Sequence, residues 1–222
     1  MIVTTKEQVF EIMGKYYGNA YWREAIKYGY TEEKLIFLTQ ILDEINALGY
    51  NFSNLQRLSD HDDERFLPIA LKYIKQQKGW VATLLSAFHC RSYYEYTPEL
   101  IYLYQNPAYE KYKWEITGAI LQIRHKKFIP RYLEIVNAST YGEKKDLFIE
   151  LLCLLKAKEV LPRLIELYQR YPDEWRWDLL KYGWYFKDVS IIPYIEPYLT
   201  CDDGEYRSMA KKAMQKLSIV SD

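Results

Sequence analysis

The stretch Phe128-Ile129-Pro130-Arg131-Tyr132-Leu133-Glu134-Ile135 decides the fold, because the chain repeats it. It returns as Val160-Leu161-Pro162-Arg163-Leu164-Ile165-Glu166-Leu167, and again as Ile191-Ile192-Pro193-Tyr194-Ile195-Glu196-Pro197-Tyr198-Leu199. Two fainter copies come earlier, Phe66-Leu67-Pro68-Ile69-Ala70-Leu71 and Tyr96-Thr97-Pro98-Glu99-Leu100-Ile101. The prolines at 68, 98, 130, 162 and 193 are 30, 32, 32 and 31 residues apart. A fixed period of that size marks a stack of equivalent units.

Each copy predicts two helices. Proline suits the first turn of a helix, where its missing N–H would have found no partner. Apolar residues follow at helical spacing, Leu133, Ile135 and Val136 in one copy and Leu164, Ile165 and Leu167 in the next. Polar turns such as Asn137 to Gly142 and Arg170-Tyr171-Pro172-Asp173 then lead into a second helix. Second helices are expected at 79–90, 109–124, 143–156, 174–186 and 205–217, with Thr140 and Glu143 as a capping box for one of them. No period-two strand pattern occurs, so the class is all-α.

Upstream of the first proline the pattern differs. Helices are expected over 5–17, 21–28 and from Thr31 to Leu48, the last with an apolar stripe of Leu35, Leu38, Ile41, Leu42, Ile45 and Leu48. A short helical turn is expected at 53–57 and a polar loop at 59–65. Residues 1–60 thus read as an N-terminal helical cap, and 61–222 as about five two-helix repeats forming one continuous domain.

Composition narrows the function. With 49% hydrophobic residues the chain can bury a core, and Lys+Arg equals Asp+Glu at 30 each. Nucleic-acid binders draw affinity from a basic excess, so zero net charge argues against that partner. Cys90, Cys153 and Cys201 are odd in number and widely spaced, which reads as thiols in a reducing compartment. Without a leader-like N-terminus or a long apolar run, the expectation is a cytoplasmic protein with no membrane span and a monomer as the default.

Counting back from each proline assigns the faces of the second helices. Positions 14, 10 and 7 before it are Ile116, Ile120 and Ile123, then Phe148, Leu152 and Leu155, then Leu179, Gly183 and Phe186, which read as the buried stripe. Positions 16, 12 and 9 should face outward into a groove. They are Trp114, Gly118 and Leu121, then Asp146, Glu150 and Cys153, then Trp177, Lys181 and Trp184, flanked by Glu115 and Asp178. Three tryptophans on a face otherwise open to polar residues point to binding, since tryptophan recurs at interaction hot spots. The candidate contact residues are therefore Trp114, Glu115, Asp146, Glu150, Trp177, Asp178, Lys181 and Trp184. The competing reading is that the indoles pack between neighbouring helices.

Catalysis has less support. His61, His89 and His125 lack metal-ligand spacing, and no metal or cofactor is expected. The acidic run after His61 reads as a solvated loop, and adjacent helical residues such as His89 and Cys90 point about 100° apart. No phosphate loop, nucleophile elbow or paired-carboxylate motif is present, so no catalytic residue is assigned.

A two-helix unit opened by proline, with a basic residue near the start of its second helix, resembles the HEAT repeat family. That basic position is Lys113, Lys145, Arg176 and Arg207. The period is shorter than the roughly 40–47 residues usual for HEAT and armadillo units and is closer to compact bacterial HEAT-like variants. The resemblance covers about residues 62–220. It implies a right-handed α-α superhelix whose second helices line a concave face and whose basic ladder is structural. It further implies a non-catalytic module for a protein or peptide partner, by analogy with adaptors and toxin-neutralising immunity proteins. The alternative it raises is a HEAT-like DNA glycosylase acting on alkylated bases, with Trp114, Glu115, Trp177, Asp178 and Trp184 against a cationic lesion. Acids on that face and the missing basic excess oppose the enzyme.

Overall fold

The computed structural model describes residues 1–16, 21–138 and 146–218. It is all-α: among these residues the sole β feature is an isolated bridge between Ile2 and Thr31. The chain divides into two compact units, Met1–Ile123 and Arg124–Asp222, so the division falls between two repeats.

In the first unit, α1 (Lys6–Met13), α2 (Tyr21–Lys27) and α3 (Glu32–Asn46) precede the proline frame. Thr5 closes a full capping box with Gln8, and the Thr31 side chain caps α3 by accepting from Lys34 N–H. Leu35, Leu38, Ile41, Leu42 and Ile45 are fully buried, as the stripe requires, whereas Leu48 lies beyond the helix end and is half-buried. The segment 53–65 is more ordered than a loop, with 3₁₀ turns at Leu55–Asp60 and Glu64–Phe66. Two helix pairs follow, α4 (Leu67–Gln76) against α5 (Val81–Leu85) and α6 (Thr97–Gln105) against α7 (Lys113–Ile123), with α5 also lying along α7. The α3 helix is tied to this array by Glu44, which takes a bond from Tyr73 and pairs with Lys72 at 2.7 Å. It is tied again by Lys34, whose ammonium lies over the Tyr30 and Trp80 rings.

The second unit holds three more pairs. They are α8 (Ile129–Asn137) with α9 (Asp146–Leu154), α10 (Leu161–Arg170) with α11 (Pro172–Tyr182), and α12 (Ile192–Ile195) with α13 (Gly204–Ser218). Along the stack α9 meets α11, and α11 meets α13. Lys145, Thr140 and Glu143, with the expected start of the helix at 143, lie outside the described residues.

All five prolines of the frame are the second residue of an α-helix, at α4, α6, α8, α10 and α12. Each of those helices is entered through a 3₁₀ turn, a feature the periodicity did not reveal. Where the sequence repeats Pro-Arg-x-x-Glu, the arginine and glutamate pair one turn apart, Arg131 with Glu134 and Arg163 with Glu166. Such exposed pairs contribute little stability. Six residues before the last three prolines stand Arg124, Lys156 and Lys187, all with positive φ, which end one helix and turn the chain towards the next.

Several second helices are shorter than their sequence pattern, although α13 spans all of the expected 205–217. The copy expected at 79–90 is α-helical only over Val81–Leu85, because Trp80 before it is left-handed and the chain beyond Ser86 turns out at Ala87 and Phe88. The helix expected to 186 stops being α at Tyr182 and finishes as a 3₁₀ turn, Gly183–Phe186. A β-carbon at Gly183 would stand 3.0 Å from the Cδ1 of the buried Ile191, so alanine there requires that side chain to shift by a few tenths of an ångström.

Candidate functional site

The stripe assigned to the core is the core. Ile116, Ile120, Ile123, Phe148, Leu152 and Leu179 are completely buried, and Leu155, Gly183 and Phe186 are buried with them. The outward face is mixed. Trp114 is 55% exposed and Trp177 37%, while Lys181 is exposed and Glu115, Glu150, Asp178 and Trp184 are half-buried. Asp146 opens α9, but its side chain lies outside what the structure describes. Cys153 departs from the pattern: it is fully buried, and desolvation pushes its thiol well above the usual range. It belongs to the core because α9 is hydrophobic on more than one face, with Ile149 and Leu151 buried as well.

In the second unit the structure gathers Glu150, Trp177, Lys181 and the unforeseen Tyr182. The Tyr182 hydroxyl, on α11, donates a hydrogen bond to Glu150 Oε1 on α9. Burial first, and this bond second, raise the Tyr182 hydroxyl well above its ordinary titration range. Lys181 Nζ lies 4.0 Å from the same carboxylate oxygen, 4.6 Å from the Tyr182 ring centre and 5.9 Å from that of Trp177. Trp177 meets Tyr206 of α13 edge-on at 6.4 Å, and Arg176 stands over that same tyrosine ring at 4.7 Å. Trp184 packs edge-on against Tyr185 at 4.4 Å. Because it sits in the 3₁₀ turn, which winds about 120° per residue, its direction is not the one α-helical counting assigns.

In the first unit Trp114 and Glu115 line a cleft of about 370 Å³ between α5 and α7. Gly118 and Ala119 form its floor on α7, and Ala82, Leu85, Ser86, Phe88 and His89 its other side. Both His89 ring nitrogens are taken, Nδ1 by the Ala87 carbonyl at 3.0 Å and Nε2 by Asp62 at 3.0 Å. Of the basic positions, Lys113 and Arg207 make contacts within their own segments, whereas Arg176 reaches Tyr206 on α13. Lys113 is buried, paired with Glu110 at 2.6 Å and set over the Tyr104 ring, and Arg207 donates to the Cys201 carbonyl.

Sequence counting found the tryptophans and acids but missed Tyr182, Tyr206 and Phe88, and weighed His89 only as a metal ligand or a partner of Cys90. A usable signal existed for the first two: Glu150 and Tyr182 are 32 residues apart and Arg176 and Tyr206 are 30 apart, each about one period. Among the described residues no helix is long and apolar enough to cross a membrane, and no group of three or more His, Cys, Asp or Glu gathers as a metal site. Comparison with family models, curated proteins and solved structures finds no match.

Proposed function

We propose that the chain is a HEAT-like right-handed stack with an N-terminal helical cap, and that it binds a protein or peptide partner through its second helices without catalysing a reaction. The supporting observation is the exposure of Trp114 and Trp177 on helices whose opposite face is core. A large apolar ring kept partly in water on a rigid helix costs solubility, which is the profile of an interface anchor. The acids beside these rings, Glu115 and Glu150, suit a polar or basic protein surface and repel phosphate.

Trp114→Ala should lower stability by no more than about 1.5 kcal/mol in urea unfolding, and Trp177→Ala, which also loses its packing on Tyr206, by about 2–3 kcal/mol. The same changes should abolish capture of partners from the source cell. Retained capture with both rings removed would sink the proposal. Duplex-DNA binding that falls steeply with salt would favour the glycosylase alternative instead.

A further inference from the structure

Independently of the binding-module reading above, we infer that His89 and Asp62 form a proton-dependent latch in the first unit. A doubly protonated imidazole closes it, and loss of one ring proton opens it. Both oxygens that face the ring are acceptors. His89 Nδ1 lies 3.0 Å from the Ala87 carbonyl, and Nε2 lies 3.0 Å from Asp62 Oδ1. A carbonyl and a carboxylate bring no proton to these bonds, so both protons come from the ring. A neutral imidazole carries one N–H. In that form one nitrogen turns a lone pair towards an oxygen at hydrogen-bond distance, and one of the two contacts has to part.

The contacts differ in what they hold and in how easily they give. The Ala87 bond spans two residues and shapes the chain just after α5. The Asp62 bond spans 27 residues and joins that chain to the polar segment leading into α4. The Asp62 side chain is 77% exposed and that of His89 24%, so water receives the released carboxylate while the ring stays seated. Tyr93, itself buried, meets the ring edge-on at 6.0 Å and holds it further. Asp62 is therefore the half that moves. Closed, the latch fastens the approach to α4 against the approach to α6.

The charges around the ring suit a cation there. Beside Asp62 stand His61, Asp63 and Glu64, of which Asp63 is matched by Arg65 at 2.6 Å and His61 lies against the Phe52 ring at 4.8 Å. Cys90, the exposed Arg91 and Tyr93 follow His89 in the chain, and Glu115 of α7 lines the same cleft as His89. That leaves Asp62, Glu64 and Glu115 set against Arg91, so the local field is negative. Histidine is the side chain whose charge ordinarily changes between about pH 5 and 8, which sets the window in which the latch works.

The test uses the full chain at low salt. At about pH 5, NMR of the imidazole nitrogens should find a proton on both nitrogens of His89, and at about pH 8.5 on Nδ1 alone. A double-mutant cycle of His89→Ala with Asp62→Ala should show a coupling of about threefold in the folding equilibrium at about pH 5, the size of an exposed ion pair. At about pH 8.5 that coupling should vanish. The cycle separates His89 from His61, which titrates over the same range. In an Asp62→Asn background the coupling should be the same at both pH values, because an amide can accept from the charged ring and donate to the neutral one. Coupling that persists in the wild-type pair at about pH 8.5, or is missing at about pH 5, would overturn the latch. So would a single ring proton on His89 at about pH 5, a reading of the wild-type chain that stands even if His89→Ala fails to fold.

Discussion

Replacing Phe148 with alanine should cost about 3–5 kcal/mol, the usual range for deleting a fully buried aromatic side chain. Phe148 is completely buried on α9, with its ring 5.9 Å from that of Tyr132 on α8, the helix opened by Pro130. The cavity would therefore open between the two helices of one repeat, where little can collapse to fill it. Against a typical domain stability of about 5–15 kcal/mol, a loss of this size should move the urea midpoint strongly while leaving the denaturant slope unchanged. The contrast with Trp177→Ala is the informative part. Both residues are large aromatics on second helices, so hydrophobicity alone would rank the tryptophan as the more damaging loss. A small effect at Phe148, or one matched at Trp177, would mean that the faces have been exchanged.

The second large effect is alkaline unfolding. Tyr73, Tyr93 and Tyr182 are buried, and their hydroxyls are held above the ordinary tyrosine value near 10, by burial in each case before any other cause. Glu44 adds to the effect at Tyr73, and Glu150 at Tyr182. Below pH 10 both folded and unfolded chains keep these protons, so the full stability is present. Above it the unfolded chain releases protons that the folded chain retains, and unfolding becomes easier as pH rises. Each such group lowers stability by about 1.4 kcal/mol per pH unit, so three together approach about 4 kcal/mol per unit. Helical circular dichroism should collapse within about two units above pH 10, together with a late step of tyrosinate absorbance. Release of those protons near pH 10 with the helix signal intact would show that the three hydroxyls are not held in this way.

Much of this architecture is legible in the sequence because two strong signals coincide there. Proline marks a helix start for a steric reason, and a buried stripe needs apolar residues at helical spacing, so the frame at Pro68, Pro98, Pro130, Pro162 and Pro193 fixes both where helices begin and which way they face. What escapes counting is departure from regular α geometry. The 3₁₀ turns before each proline, the left-handed Trp80 and the 3₁₀ ending at Gly183–Phe186 depend on packing against the adjoining segments, and they shorten helices and turn Trp184 away from its calculated face. Cys153 escaped for the opposite reason: a helix buried on more than one face has no outward position to find. The cleft beside Trp114 was invisible because it is shaped by Ala82, Ser86 and Gly118, small residues that carry no signal of their own.

The cross-links Glu150–Tyr182 and Arg176–Tyr206, together with the hydroxyl pair of Tyr168 and Tyr198 at 3.0 Å, join partners about one period apart. Each is a bond between one copy of the motif and the copy that follows. These copies are therefore not interchangeable bricks, because the ones opened by Pro130 and Pro162 each carry half of a lock whose other half belongs to the successor. Exchanging the α10–α11 segment for a duplicate of α8–α9 would preserve the prolines and the apolar stripe, yet strand Glu150 without Tyr182 and Tyr198 without Tyr168. A double-mutant cycle of Glu150→Gln with Tyr182→Phe should therefore show coupling between neighbouring copies, because each change removes the same cross-link.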